Sequence, residues 1–170
     1  MTSLKRSLLY VFNSKILEVK NTIIANNAAT IKMQSLNMTE AKVGVGVTLP
    51  IDTLEIFIGF DNSLEGNIDQ KNALMALYRI LTCGETSAKN CIAKTMLATV
   101  TKNVEKHYSG TGRKVHGVGK EDFSKTIVFS CIQDVLLGKF GDSKEIEGLK
   151  GKIGKWLSGA TDRAGGRKEP

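Results

Sequence analysis

The sequence predicts a single α+β domain in which a small antiparallel sheet packs against helices. In two runs, Val43–Leu49 and Leu54–Phe60, apolar residues occupy alternate positions, as in strands with one buried face. A third run, Lys125–Ile132, is rich in apolar and β-branched residues. Asp69–Gly84 instead spaces its apolar residues by three and four, as in a helix. Because an apolar sheet face must be covered, we expect this helix to pack on the sheet.

Length and composition limit the class of protein. A chain of 170 residues can bury a core without disulfides or metal. No apolar run approaches the roughly 20 residues that span a bilayer, and Asn13–Lys15 interrupts the first apolar stretch too early for a secretion signal. The three cysteines, Cys83, Cys91 and Cys131, are an odd number without CxxC spacing. They favour a reducing, cytosolic setting.

The charge is the first indication of function. A formal net charge of +7 raises the affinity for polyanions such as nucleic acid and anionic lipid. Basic residues concentrate near the start and in the second half, whereas the segment between Pro50 and Glu65 is acidic. Opposite charges on separate segments also permit head-to-tail self-association.

The N-terminal segment, residues 1–29, predicts a basic amphipathic helix over Ser3–Asn21, followed by a connector at Thr22–Thr30. Such a helix can lie on an anionic membrane, where each nearby lysine or arginine adds about 1 kcal/mol. Packing on the protein core is the alternative, and the sequence leaves both open. The apolar positions, spaced by threes and fours, are Leu4, Leu8, Val11, Phe12, Ile16 and Val19.

Residues 30–158 are predicted to form the α+β core, which begins with strands. Thr30–Ser35 alternates weakly and Val43–Leu49 strictly, although Gly44 and Gly46 weaken its pleat. After a break at Pro50, Leu54–Phe60 alternates again. We expect these last two strands to pair antiparallel.

The helix over Asp69–Gly84 has the clearest boundaries. Asp69 is the predicted N-cap and Gly84 the left-handed stop. The apolar face expected to lie against the sheet consists of Leu74, Leu77, Tyr78 and Leu81.

The segment Ser87–Tyr108 is ambiguous, because a spacing of four and a β-branched run coexist. A helix, or a helix breaking into a strand near Thr99, is favoured. The following loop, Ser109–Lys120, reads SGTGRKVHGVGK. It lacks the spacing of a phosphate-binding P-loop, so a mobile basic loop is predicted.

The C-terminal part combines a third strand with a glycine-containing helix. Lys125–Ile132 is the predicted strand, and Gln133–Lys139 extends it or forms a short helix ended by Gly138. Helical spacing over residues 146–157 predicts an interfacial helix. Each internal glycine costs roughly 1 kcal/mol, so this helix must either dock on the protein or be induced by a membrane. Residues 159–170 are predicted to be a disordered tail.

No catalytic or metal motif is evident, and we predict a non-enzymatic protein without cofactors. The only histidines, His107 and His116, form no common zinc pattern with Cys83 and Cys91. Cys131, in an apolar run, is interpreted as a small core residue.

Four segments together resemble the matrix proteins of rhabdoviruses. They are the opening MTSLKR, TIKMQSLN at Thr30–Asn37, LYRILTCGETS at Leu77–Ser87 and KTIVFSCIQD at Lys125–Asp134. With only Pro50 and Pro170, the chain has no PPxY or PTAP budding motif. The small size and this absence favour a plant-infecting, cytorhabdovirus-like member.

The resemblance implies a virion protein that binds the inner face of the envelope, self-associates and condenses the nucleocapsid. Its expected locations are the virion, beneath the envelope, and the host cytoplasm and membranes. The residues expected to bind anionic lipid are Lys5, Arg6, Leu8, Val11, Phe12, Lys15 and Lys20. Those expected to contact membrane or nucleocapsid are Arg113, Lys114, Lys120, Lys152, Lys155 and Trp156.

The alternative is a small basic RNA-binding viral accessory protein. It would use the same basic second half on phosphates, with an affinity that falls steeply with salt. Aromatic residues for base stacking are few there, limited to Tyr108 and Phe123 beside the loop.

Overall fold

The computed structural model describes residues 12–21, 37–112, 114–115 and 118–159. The chain divides into two compact units, Met1–Thr39 and Glu40–Pro170. In the first unit residues 12–21 are helical, which confirms this part of the predicted amphipathic helix. The rest of that helix, the connector at Thr22–Thr30 and the strand at Thr30–Ser35 lie outside the described residues.

The second unit is mostly helical. Its first residues, 40–45, are helical. A short 3₁₀ helix, Phe123–Lys125, lies between the fourth and fifth of the α-helices that follow. These helices are α1 (Leu54–Gly66), α2 (Ile68–Thr82), α3 (Ala88–Thr99), α4 (Lys102–Glu105), α5 (Ile127–Phe140) and α6 (Leu149–Ser158).

The described strands are short and form two separate pairs. β1 (Tyr108–Ser109) pairs in parallel with β4 (Glu121–Asp122), Tyr108 standing opposite Glu121. β2 (Lys114–Val115) pairs antiparallel with β3 (Val118–Gly119). The α+β class is therefore right in coarse terms. The predicted antiparallel sheet is wrong, since in the described part of the chain its strands are replaced by helices and irregular backbone.

The predicted strand Leu54–Phe60 belongs to helix α1. The buried residues of α1 are Phe57, Phe60 and Leu64, a spacing of three and four, while Ile56 and Ile58 are exposed. Apolar residues stand at both periods in this run, and burial of the two phenylalanines selects the helical one.

The predicted strand Val43–Leu49 is also wrong. Residues 43–45 are helical, and Gly46 then takes a positive φ of 73°. A Cβ on Gly44 would lie 2.8 Å from the Cβ of Ala73, so this glycine lets the helical stretch approach α2. The side-chain amide of Gln70 donates to the Val45 carbonyl at 2.7 Å and fixes that approach. A close neighbour, not a β-bulge, therefore explains Gly44.

The third predicted strand, Lys125–Ile132, lies in the 3₁₀ helix and the first half of α5. α5 passes through Gly138, the predicted end, and stops at Phe140, after which Gly141 has a φ of 61°. A continuous apolar run is typical of a buried strand and of a buried helix alike. Here tertiary packing decides for the helix, whose buried residues are Val128, Phe129, Cys131, Ile132, Val135 and Leu136.

Helix α2 confirms the clearest prediction, with one change at its start. Its N-cap is Asn67, whose side chain accepts from the Gln70 amide at 3.0 Å, in place of Asp69. Leu74, Leu77 and Tyr78 are buried and Leu81 is partly buried. Because no large sheet is present in the described residues, this face packs against α3 and α5. α2 and α5 contact each other and both α1 and α3, so they form the centre of the core.

The ambiguous segment Ser87–Tyr108 is helical up to Thr99, which agrees with the favoured interpretation. The strand expected after Thr99 is reduced to one bridge residue, and helix α4 follows it. α3 ends at Thr99, and Val100 is extended and forms an isolated parallel bridge with Ile51. The Ile51 amide donates to the Thr99 carbonyl at 2.8 Å, and the Thr101 amide donates to the Ile51 carbonyl at 2.9 Å. The bridge fixes the chain entering α1 against the end of α3.

The C-terminal helix α6 follows the predicted spacing. Leu149, Ile153 and Leu157 are buried, and the helix contacts α3 and β1. Of the two predicted alternatives, docking and membrane induction, the structure shows docking within the second unit. Of the predicted tail, Gly159 is described and residues 160–170 lie outside the described part of the chain.

Candidate functional site

The helical segment 12–21 exposes an apolar stripe along one face. At 100° per residue, Phe12, Ile16 and Val19 fall within roughly 60° of one another. Their exposed fractions are 62%, 50% and 57%. Helical apolar residues usually face a core, so an exposed stripe of this kind is a candidate contact surface.

Two lysines flank the stripe. By the same helical spacing, Lys15 and Lys20 each lie about 40° beyond one of its edges. Both are exposed, and Lys15 forms a 3.0 Å ion pair with Glu18, which lies farther from the stripe. Lysines in these positions can rest their methylene stems beside an inserted apolar face and keep the ammonium in water. We call Phe12, Ile16, Val19, Lys15 and Lys20 the stripe residues.

Only part of the predicted lipid-binding set is described. Phe12, Lys15 and Lys20 belong to the stripe residues, whereas Lys5, Arg6, Leu8 and Val11 lie outside the described residues. Ile16 and Val19 were in the predicted helix pattern but not in the predicted site. Their heptad-like relation to Phe12 was the available signal.

A second candidate is a cleft between α3 and α6, with a volume of about 450 Å³. This size lies within the range typical of ligand sites. The floor is apolar: Ala88 and Ile92 are buried, and Trp156 is partly buried. The charged lining residues are Lys89, Glu145, Lys152 and Lys155.

Two of the four charged side chains of this cleft form hydrogen bonds to the backbone, and two do not. Lys152 donates to the carbonyls of Lys144 at 3.1 Å and Glu145 at 2.5 Å. A Glu145 carboxylate oxygen accepts from the Ala88 amide at 3.2 Å, which satisfies a free donor at the start of α3. Among the described residues, the ammonium groups of Lys89 and Lys155 have neither an ion pair nor a hydrogen bond.

Three predicted contact residues, Lys152, Lys155 and Trp156, are thus brought together in the cleft. Four lining residues were missing from the predicted site: Ala88, Lys89, Ile92 and Glu145. Lys89 and Ile92 come from a segment that was ambiguous between helix and strand, so their common face could not be assigned. Once α3 is helical, a spacing of three places them side by side.

The predicted loop residues are not gathered in this cleft. Lys120 lines a separate recess of about 440 Å³ with Ile58, Tyr108 and Lys125. That recess also contains Glu121 and Asp122, so its charge is mixed. Lys114 lies in β2, and Arg113 lies outside the described residues.

Two further observations concern the chemistry of the described residues. No group of three or more histidine, cysteine, aspartate or glutamate side chains is close enough there to hold a metal ion. Cys131 is fully buried, which confirms the core interpretation, and burial raises its pKa to about 11. At neutral pH this thiol stays protonated.

In the described segments, no helix is both long and apolar enough to cross a bilayer. No family model, curated protein or solved structure matches the chain.

Proposed function

We propose that this chain is a non-enzymatic structural protein of the viral matrix type. In this role it binds the inner face of the envelope membrane, self-associates and condenses the nucleocapsid in the virion and the host cytoplasm. The observation that carries the proposal is the exposed apolar stripe of residues 12–21 with a lysine on each side.

The physical basis is interfacial binding. The apolar side chains of such a helix enter the boundary between the lipid headgroups and the acyl chains. The flanking lysines remain at the anionic surface. Each lysine near such a surface contributes about 1 kcal/mol, and the net charge of +7 adds long-range attraction. Neither contribution needs a membrane-spanning segment.

Self-association is supported by the separation of charge in the second unit. Helix α1 exposes Glu55 and Glu65, whereas Lys42 and Lys144 are exposed elsewhere on this unit, outside the cleft. Contacts between unlike surfaces of two copies can repeat without closing, as a condensed structural layer requires. Sedimentation velocity at increasing protein concentration tests this part of the proposal.

The membrane role is tested by flotation with anionic and neutral liposomes. We expect binding to phosphatidylserine vesicles, little binding to phosphatidylcholine vesicles, and loss of binding for Ile16→Asp. The double variant Lys15→Glu with Lys20→Glu should weaken binding at least about tenfold, since two favourable charges are reversed.

Leu17→Asp is the matched control. This substitution introduces the same charge as Ile16→Asp. Leu17 is 58% exposed but lies about 100° around the helix from the edge of the stripe. Equal effects of Ile16→Asp and Leu17→Asp would contradict the stripe as the binding surface. Tight, salt-sensitive RNA binding without flotation would favour the RNA-binding accessory protein instead.

A further inference from the structure

The cleft between α3 and α6 combines an apolar floor with charged edges. Its floor, formed by Ile92, Ala88 and Trp156, is apolar. Its edges carry Lys89 and Lys155, whose ammonium groups have no ion pair or hydrogen bond within the described residues. Such a site complements a ligand that has an apolar body between negative groups.

We infer that this cleft binds a short acidic segment of a partner protein. A large apolar side chain of that segment packs on Ile92 and the Trp156 indole, and carboxylates on either side pair with Lys89 and Lys155. Lys152 stays with the Lys144 and Glu145 carbonyls and keeps the segment before α6 in place.

Shape and charge favour a peptide over other anions. The site is a recess in which Trp156 is partly buried, so a flat bilayer surface meets the rim and not the floor. The Glu145 carboxylate lines the same cleft and reduces the charge of its three lysines to a net +2. A closely spaced run of phosphates is disfavoured beside that carboxylate, whereas single carboxylates can each meet one lysine.

The acidic helix of a second copy is a poorer occupant than a separate segment. The exposed face of α1 includes Ile58, which lines the recess containing Lys120 and Lys125. Ile58, one of the two exposed isoleucines of α1, therefore already has lysines beside it in its own copy. A free segment has no such neighbours.

This site is separate from the stripe residues, and the inference does not depend on membrane binding. Failure of liposome flotation leaves the cleft unaffected. Conversely, a cleft without peptide affinity leaves the membrane proposal standing.

Trp156 provides a direct readout because it is the only tryptophan in the chain. The full-length protein is titrated with the capped peptide Glu-Glu-Leu-Leu-Glu-Glu, which does not fluoresce. We expect a saturable change in Trp156 emission, with an apparent Kd that weakens as salt rises. A neutral peptide with Gln in place of Glu, and an acidic one with Ser in place of Leu, should each bind at least about tenfold more weakly.

The variant Lys89→Ala with Lys155→Ala should weaken binding of the acidic peptide, raising its Kd roughly tenfold. This is the effect expected from losing two partly exposed ion pairs. Its matched control is Lys102→Ala with Lys106→Ala, which removes two exposed lysines outside the cleft. This control should bind as the unchanged protein does. Circular dichroism verifies that both variants are folded.

Several results would overturn the inference. One is unchanged Trp156 emission at millimolar peptide, and another is equal weakening by the two lysine pairs. Emission changes with soluble dihexanoyl phosphatidylserine but not with peptide would assign the cleft to lipid. Loss of concentration-dependent sedimentation only in Lys89→Ala with Lys155→Ala would assign it to a second copy.

Discussion

The Thr99 hydroxyl links the Tyr78 hydroxyl to the Thr95 carbonyl in the helical core. It donates to the Thr95 carbonyl at 2.6 Å, so at 2.7 Å it accepts the hydrogen bond from the Tyr78 hydroxyl. All three residues are fully buried. Burial raises the pKa of Tyr78, so the hydroxyl remains a donor under all ordinary conditions. A buried donor of this kind stabilises the fold only while its acceptor is present.

The two ends of this hydrogen bond should respond differently to mutation. Tyr78→Phe removes the donor and leaves Thr99 bonded to Thr95, so we expect a loss of about 1 kcal/mol in unfolding free energy. Thr99→Val leaves the Tyr78 hydroxyl unpaired, at a larger cost of about 1–3 kcal/mol. Urea denaturation of both variants and of the double variant measures the coupling. Strictly additive losses would contradict a direct bond.

Asp61 caps a helix from a distance. Its carboxylate, on α1, accepts from the Val128 amide in the first turn of α5 at 2.8 Å. Thr126 accepts from the Phe129 amide of the same turn at 3.0 Å. Burial raises the pKa of Asp61 above its ordinary value of 3.8, although the hydrogen bond from Val128 opposes the shift. The carboxyl group therefore takes up a proton more readily in the folded chain than in the unfolded one.

This shift fixes the sign of a pH dependence. The contribution of Asp61 to stability is fully present below pH 3.8 and is lost as the pH rises through the higher folded-state pKa. The unfolding free energy of the natural protein relative to Asp61→Asn should thus decrease between pH 4 and pH 7. Asp61→Ala, which lacks any acceptor, should be less stable than Asp61→Asn by about 1 kcal/mol at both pH values. A relative stability that increases with pH would contradict the assignment.

Helix α6 shows how an element with poor intrinsic propensity is held. A Cβ on Gly154 would lie 3.0 Å from the Gly110 Cα, and one on Gly110 would lie 2.7 Å from the Gly154 Cα. The helix thus approaches the backbone beyond β1 through two glycines. Lys150 adds a 3.2 Å ion pair with Asp122 of β4. Docking of this kind offsets the cost of glycine in the helix.

The glycines of α6 should consequently differ in effect. Gly154→Ala forces the helix away from Gly110, so we expect lower stability and a red shift of Trp156 emission as the cleft opens. A Cβ added at Gly151 has no neighbouring atom within 4 Å, so Gly151→Ala should stabilise the helix by up to about 1 kcal/mol. Thermal unfolding and fluorescence distinguish the two, and equal stabilisation by both would contradict the close approach.

Elements whose apolar residues fit only the helical spacing were predictable from sequence. Elements whose apolar residues fit both the helical and the strand spacing were not. Residues 12–21, α2 and α6 carry apolar residues at helical spacing alone, and each is helical. In α1, apolar residues fit both strand and helix, and the choice depends on Phe57. The centroid of that ring lies 5.3 Å from the centroid of the Tyr108 ring and 6.2 Å from that of Phe123. Both partners are far from Phe57 in the sequence. Local sequence does not contain this information.

The same limit applies to the whole molecule and its candidate site. The sequence proposed Lys152, Lys155 and Trp156 as contact residues, and all three lie on one clearly periodic helix. It could not place them opposite Lys89 and Ile92, which are about 60 residues earlier and meet them only through α3–α6 packing. Net charge was readable from composition, but the distribution of that charge over surfaces required the fold.

The parallel pairing of β1 with β4 has a consequence for protein engineering. The Glu121 amide donates to the His107 carbonyl at 2.8 Å, so the two ends of the intervening segment are held next to each other. Residues between these ends can be lengthened at a closure cost of only about 0.6 kcal/mol per doubling. An epitope tag or a small reporter domain placed after Gly112 would therefore leave the helices in register.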